Sequence, residues 1–147
     1  MKIAMACDHG AVELKNKLKA HLQEKGMEVV DFGTHTTDSC DYPDYIAPAA
    51  QAVASGECER GIVLCTTGIG VSIVANKIKG IRCALLSDTM TARLTREHND
   101  TNMMALGAGV TGPMLAQEIV DVWLATEFSH SERHQRRIDK VMALEKL

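Results

Sequence analysis

Short apolar runs alternate along the chain with longer stretches in which apolar residues recur every three or four positions. Residues 2–6 form an apolar run that breaks at Cys7-Asp8-His9-Gly10, a first strand and its loop. Leu14, Leu18 and Leu22 then recur among lysines and glutamates until Gly26, the spacing of an amphipathic helix with a glycine stop. Residues 28–32 read as a second strand and 33–44 as a polar loop containing Asp41-Tyr42-Pro43. The alanine-rich segment 45–54 predicts a helix, with Pro48 in its first turn, where a missing N–H is tolerated. Residues 61–65 make a third strand, and a helix runs from near Gly70 to about Gly80. Residues 81–87 are almost wholly apolar, the pattern of a strand covered on both faces. A helix from about Thr89 delivers His98-Asn99-Asp100 at its end. Residues 103–106 are a fifth strand, with Gly107 and Gly109 in the turn after it. Pro113 opens a helix through Glu127 with Leu115, Ile119, Val122 and Trp123 on one face. A last amphipathic helix, 132–146, brings Ile138, Val141, Met142 and Leu144 together.

Strands alternating with helices imply parallel βαβ units with right-handed crossovers. The expected fold is therefore α/β: a single domain over residues 1–147, a doubly wound five-stranded parallel sheet in a Rossmann-like three-layer sandwich, with a C-terminal helix. Ligands bind such sheets beyond the carboxyl ends of the strands, where the winding reverses. The polar residues that follow those ends are Asp8 and His9, Asp41 and Tyr42, and Cys65 to Gly70. All three groups are expected to face one crevice.

Composition narrows the function classes. With 46% hydrophobic residues, 24% charged and a formal charge of −3, the chain suits a soluble globular protein and not a nucleic-acid partner. Aromatic content of 3% also leaves few platforms for stacking bases. The five cysteines, at 7, 40, 58, 65 and 83, are odd in number and lack CxxC spacing, so they suggest neither a disulfide framework nor a metal site. Reduced thiols in a cytoplasm fit best. The start, Met1-Lys2-Ile-Ala-Met-Ala-Cys7, is too short an apolar run for a signal peptide, and no run approaches the length that spans a bilayer.

Residues 61–77 carry the chemistry. A strand that passes through a glycine turn into a helix leaves the first helical N–H groups unpartnered, a ready site for negative charge. Cys65 sits at the lip, where the positive end of the helix dipole favours a thiolate that could act as base or nucleophile. Buried structural cysteines and glycine turns are also ordinary in α/β proteins, so this stretch alone leaves both readings open.

Five motifs in order add specificity: Cys7-Asp8-His9-Gly10; Asp41-Tyr42-Pro43-Asp44; Cys65-Thr66-Thr67-Gly68-Ile69-Gly70 with Ala75-Asn76-Lys77; Arg96-Glu97-His98-Asn99-Asp100; and Arg133-His134-Gln135-Arg136-Arg137. With them the chain resembles, nearly end to end, the B-type ribose-5-phosphate isomerases and their galactose- and allose-6-phosphate relatives. The resemblance implies cofactor-free, metal-free interconversion of ribose 5-phosphate and ribulose 5-phosphate through an enediolate, as in the pentose phosphate pathway. By it, Cys65 takes the C2 proton, the amides of Thr66, Thr67, Gly68, Ile69 and Gly70 hold the enediolate oxygen, and Thr67 relays a proton between the oxygens. Asp8 and His98 serve ring opening, Tyr42 lines the sugar, and Asn99 holds the oxygens. His9, Arg133 and Arg137, with His134 beside them, take the phosphate. The family shares its site across a homodimer, His98 and Asn99 coming from the partner chain; a tetramer is the other expectation.

Independent chemistry agrees. Abstracting a carbon-bound proton needs a base and pre-aimed donors for the oxyanion, and Arg133 and Arg137 share one helix face for a phosphate. Two departures bear on substrate: Thr66 stands where the family has glycine, and Gly109 where ribose enzymes commonly carry arginine. A glutamate base further along the loop, used by some members, is absent, since Val71 and Ser72 occupy that region. A hexose-6-phosphate isomerase and a non-catalytic sugar-phosphate-binding protein are the alternatives. A cysteine phosphatase would need arginine at position 71, and neither the P-loop nor the Gly-x-Gly-x-x-Gly pattern is present.

Overall fold

The computed structural model describes residues 1–147. The elements alternate: β1 (Lys2–Cys7), α1 (Val12–Glu24), β2 (Glu28–Asp31), α2 (Pro43–Ala54), β3 (Arg60–Cys65), α3 (Ile69–Lys77), β4 (Cys83–Leu85), α4 (Thr89–Asn99), β5 (Met103–Gly107), α5 (Pro113–Ala125) and α6 (Glu132–Ala143), with a 3-10 turn at Leu144–Lys146. All strand pairs are parallel, in the order β2-β1-β3-β5-β4. This is the doubly wound α/β sandwich expected. No helix is long and apolar enough to cross a membrane.

The strands' side-chain alternation builds two unequal layers. Ile3, Met5, Ile62, Leu64, Met104 and Leu106 point to one face, where they meet Leu14, Leu18 and Leu22 of α1 and Ile119, Val120 and Trp123 of α5. Ala4, Ala6, Val63 and Ala105 point to the other, and their small size lets α2 and α3 pack close through Ala49, Ala50 and Ala75. Because the chain leaves β1 for β2 and then returns across it to β3, the winding reverses between β1 and β3. The crevice at their carboxyl ends is fixed by that reversal.

Four expectations change. β4 is three residues long and lies at the sheet edge, with Leu85 45% exposed, because β5 inserts between β3 and β4. α2 begins at Pro43, which takes the first-turn position, so Pro48 sits more than a turn inside the helix. On α5, Leu115 faces outward, while Ala116, Ile119, Val120 and Trp123 form the buried stripe. α3 ends at Lys77 and α6 at Ala143, each short of its expected end.

A lysine lies inside the fold. Lys15 of α1 has no exposed surface; its Nζ donates to Asp31 Oδ1 at 2.9 Å and to the Thr34 carbonyl at 2.7 Å. Burial alone would raise the Asp31 carboxyl, but hydrogen bonds from Lys15 and the Gly33 N–H, the Lys15 charge and Lys19 hold it below the ordinary carboxylate value. Gly33 and Thr34 extend the pairing with β1, the Cys7 N–H donating to Gly33 O at 2.7 Å and the Thr34 N–H to Cys7 O at 2.8 Å. The buried pair thus anchors the start of the 33–42 loop beside Asp8.

Candidate active site

Cys65 ends β3 opposite Gly107 of β5. Gly68, at φ 77°, turns the chain through the left-handed region that glycine adopts without strain, and α3 starts at the next residue. The turn brings the Gly68 N–H onto Cys65 Sγ, to which it donates at 3.1 Å. Such a donor stabilises negative charge on sulfur. Thr67 Oγ1 lies 4.0 Å from the same sulfur and accepts the Ile69 N–H at 3.2 Å. The amides of Gly68 and Ile69 are thereby occupied within the loop, which leaves the N–H groups of Thr66, Thr67 and Gly70 without a protein acceptor. The loop is clamped from β5, the Ala108 N–H donating to Cys65 O and the Gly109 N–H to Thr66 O, each at 2.9 Å.

The neighbouring strand ends complete the crevice. Asp8 is nearly buried, and its Oδ1 accepts the Gly10 N–H at 2.9 Å, which aims the carboxylate back over the turn. His9 is exposed, and its Nδ1 accepts the Cys40 N–H at 3.3 Å, which leaves Nε2 as the ring nitrogen without a protein partner. Tyr42 lies over Gly70; a Cβ there would come within 2.8 Å of its ring. Asp8, Tyr42 and the Cys65 loop converge as expected, with His9 at the rim. Cys40, which no motif singled out, joins them through His9.

His98, Asn99, His134 and Arg137 form a second group. They line a cavity of about 780 Å³ together with Asn76, Arg82 and the apolar Ile138, Val141 and Met142. The rings of His98 and His134 stack with centroids 4.4 Å apart, and His134 Nδ1 lies 2.7 Å from Ser129 Oγ. Burial first, then the charges of His98, Arg133 and Arg137, hold His134 below the ordinary histidine value. Arg82, unremarked in the sequence, fixes this corner by donating to Asn99 O at 2.9 Å and Asp100 O at 2.7 Å. Arg133 is exposed and lies outside the cavity lining.

Within one chain the two groups do not meet. α4 runs antiparallel to the strands, so His98 and Asn99 lie at the amino-terminal end of β5, whereas Cys65 pairs with Gly107 at its carboxyl end. The rise along that strand separates them by roughly 13 Å or more. The expectation that His9, Arg133 and Arg137 clasp one phosphate is therefore not met by a single chain, because α6 docks beside the far end of α4.

Residues 3–141 match the ribose/galactose isomerase family. The chain belongs to that family. The solved ribose-5-phosphate isomerase B of Clostridium thermocellum superposes on it with a TM-score of 0.97 at 51% identity, covering 99% of this chain and 98% of that one. Ribose-5-phosphate isomerase B of Escherichia coli is 47% identical over 144 residues, 98% of this chain and 96% of its own. Galactose-6-phosphate isomerase subunit LacB of Clostridium acetobutylicum is 41% identical over 138 residues, 94% of this chain and 80% of its own. This ribose/galactose isomerase family member is thus a sugar-phosphate isomerase, and its two residue groups are both candidate parts of one reaction.

Proposed function

We propose that the protein interconverts ribose 5-phosphate and ribulose 5-phosphate with Cys65 as the base. The observation that carries the reading is the Gly68 N–H aimed at Cys65 Sγ from 3.1 Å, at the point where the sheet's winding reverses. A thiolate held there removes the C2 proton and returns it to C1. The open N–H groups of Thr66, Thr67 and Gly70 supply donors for the enediolate oxygens as charge develops. The Thr67 hydroxyl, next to the sulfur, passes the O2 proton to O1. Asp8 and His98 act in ring opening, Tyr42 packs on the sugar, and Asn99 steadies the oxygens. His9 Nε2, Arg133, His134 and Arg137 receive the phosphate.

Uniting these roles needs a second copy. We place the His98 end of one chain over the Cys65 end of its partner, in a homodimer with two shared sites. Val141 and Leu144, 53% and 62% exposed around the cavity, offer apolar surface for that contact. A six-carbon aldose 6-phosphate is the second reading, favoured by the likeness to LacB.

The test is incubation with ribose 5-phosphate in deuterium oxide, followed by NMR. The wild-type protein is expected to form ribulose 5-phosphate with solvent deuterium bound to carbon, and Cys65→Ala to bind the sugar without exchange. Near-normal kcat in Cys65→Ala would remove the thiol from the mechanism. Binding with no exchange of this or any hexose phosphate would leave a sugar-phosphate receptor.

A further inference from the structure

The Cys65 loop rests on three glycines. A Cβ on Gly107 would lie 2.6 Å from the carbonyl carbon and oxygen of Thr67, so that contact is between backbones. The other two glycines share one side chain. A Cβ on Gly109 would lie 3.0 Å from Thr66 Cγ2 and 3.1 Å from Thr66 O, and a Cβ on Gly10 would overlap Thr66 Oγ1, with Asp8 Oδ1 3.3 Å from the same point. Thr66 is thus wedged between the turns after β1 and β5, its hydroxyl towards Gly10 and its methyl towards Gly109. The residue is exposed.

This position lies between the two ends of the site. On one side are Cys65 Sγ and the loop amides, which take C1 and C2 under the proposed function. On the other are Asp8 and His9. A sugar phosphate held at both ends crosses the ground that Thr66 occupies. One added carbon between fixed ends forces the chain to bow, and a bow needs depth. Had Thr66 been glycine, Gly10 and Gly109 would leave that depth open; the three heavy atoms of the threonine side chain fill it. We infer that the Thr66 side chain sets substrate length, admitting five-carbon and excluding six-carbon aldose phosphates by occupying the floor between Gly10 and Gly109. The inference rests on the isomerase reading and adds to it a residue that acts by volume, not by charge or proton transfer.

The experiment measures kcat/KM for ribose 5-phosphate and allose 6-phosphate in the wild type, Thr66→Gly and Thr66→Val. The hexose-to-pentose ratio is expected to rise about tenfold or more in Thr66→Gly, the size of effect that one carbon's worth of pocket volume gives. Thr66→Val keeps the volume without the hydroxyl and is expected to keep the wild-type ratio, which a hydrogen-bonding role for Thr66 would not allow. An unchanged ratio in Thr66→Gly, with ribose 5-phosphate still turned over by the wild type, overturns the inference and leaves the isomerase reading standing. A wild type that uses both sugars equally well also overturns it. Turnover of neither sugar by the wild type defeats the isomerase reading, and the inference with it.

Discussion

Lys15 shows how one residue can serve a site it does not touch. An ammonium with no exposed surface persists because Asp31 and the Thr34 carbonyl satisfy it, and those bonds fasten the loop that leads to Cys40 and Tyr42. Lys15→Met takes the buried ammonium from the Asp31 carboxylate and leaves it the Gly33 N–H, the half-exposed Lys19 and the exposed His35, and is expected to cost about 3 kcal/mol in urea unfolding at pH 7. The pH dependence follows from the depressed Asp31 value. Its stabilisation is complete above the unfolded carboxylate value of about 4 and is lost as pH falls through the lower folded value. Lys15→Met removes the interactions that do most to lower the carboxyl, so the stability gap between variant and wild type is expected to narrow as pH falls from about 5 through the wild type's lowered folded value. A constant gap would mean that the pair is not the cause. Asp8, Tyr42 and Cys65 were legible in the sequence because they follow strand ends. Lys15 was not, since lysine in an amphipathic helix reads as surface. Its spacing from Leu18 and Leu22, three and seven positions back, was the available signal.

At the scale of elements, the strand-turn-helix around Cys65 carries the most consequence per residue. Gly68 has a positive φ, and a Cβ there would press on Leu85 Cδ1 at 2.5 Å and on the Leu106 carbonyl carbon at 2.9 Å. Gly68→Ala is expected to cost about 1–3 kcal/mol in thermal unfolding, since it combines strained backbone with a crowded Cβ. It also swings the N–H away from the sulfur, and kcat is expected to fall, because the base loses the donor that supports its charge before it takes the proton. Unchanged kcat alongside lowered stability would make that hydrogen bond structural only. This element was plain in the sequence, because an apolar run, two glycines and a helical pattern follow one another within a few residues. β4 departs from its sequence pattern for a different reason. Periodicity reports that a segment is apolar and says nothing of which strands flank it, and the insertion of β5 beside β3 is a long-range choice. Pro48 reads as the first-turn proline only while Pro43 reads as loop, and the polar residues before Pro43 give it that look although the helix starts there.

For the whole molecule, the separation of Cys65 from His98 along the sheet invites a mixing experiment. Cys65→Ala and His98→Gln are each expected to be inactive alone. Unfolded together in equal amounts and refolded, they should recover roughly a quarter of wild-type activity, because half of the random dimers are mixed and each of those has one intact site. No recovery, with dimers present by ultracentrifugation, would place both residues in the same chain's site. The order of the five motifs made the family legible. That the motifs divide between opposite ends of the sheet was not, because motif order carries no direction in space until the strands are laid side by side.

The strand order also carries a consequence for how the chain is made. β4 pairs with β5 alone, and the Cys65 loop is clamped by the amides of Ala108 and Gly109 and floored by Gly107. During synthesis, Cys65 therefore emerges from the ribosome long before the segment that holds it in shape. Until residues 103–109 follow, β3 has an open flank, β4 has no neighbour, and the thiol sits in a turn that nothing secures. A nascent chain cannot give the Cys65 sulfur its setting early; that setting arrives when the last strand slides between two already made.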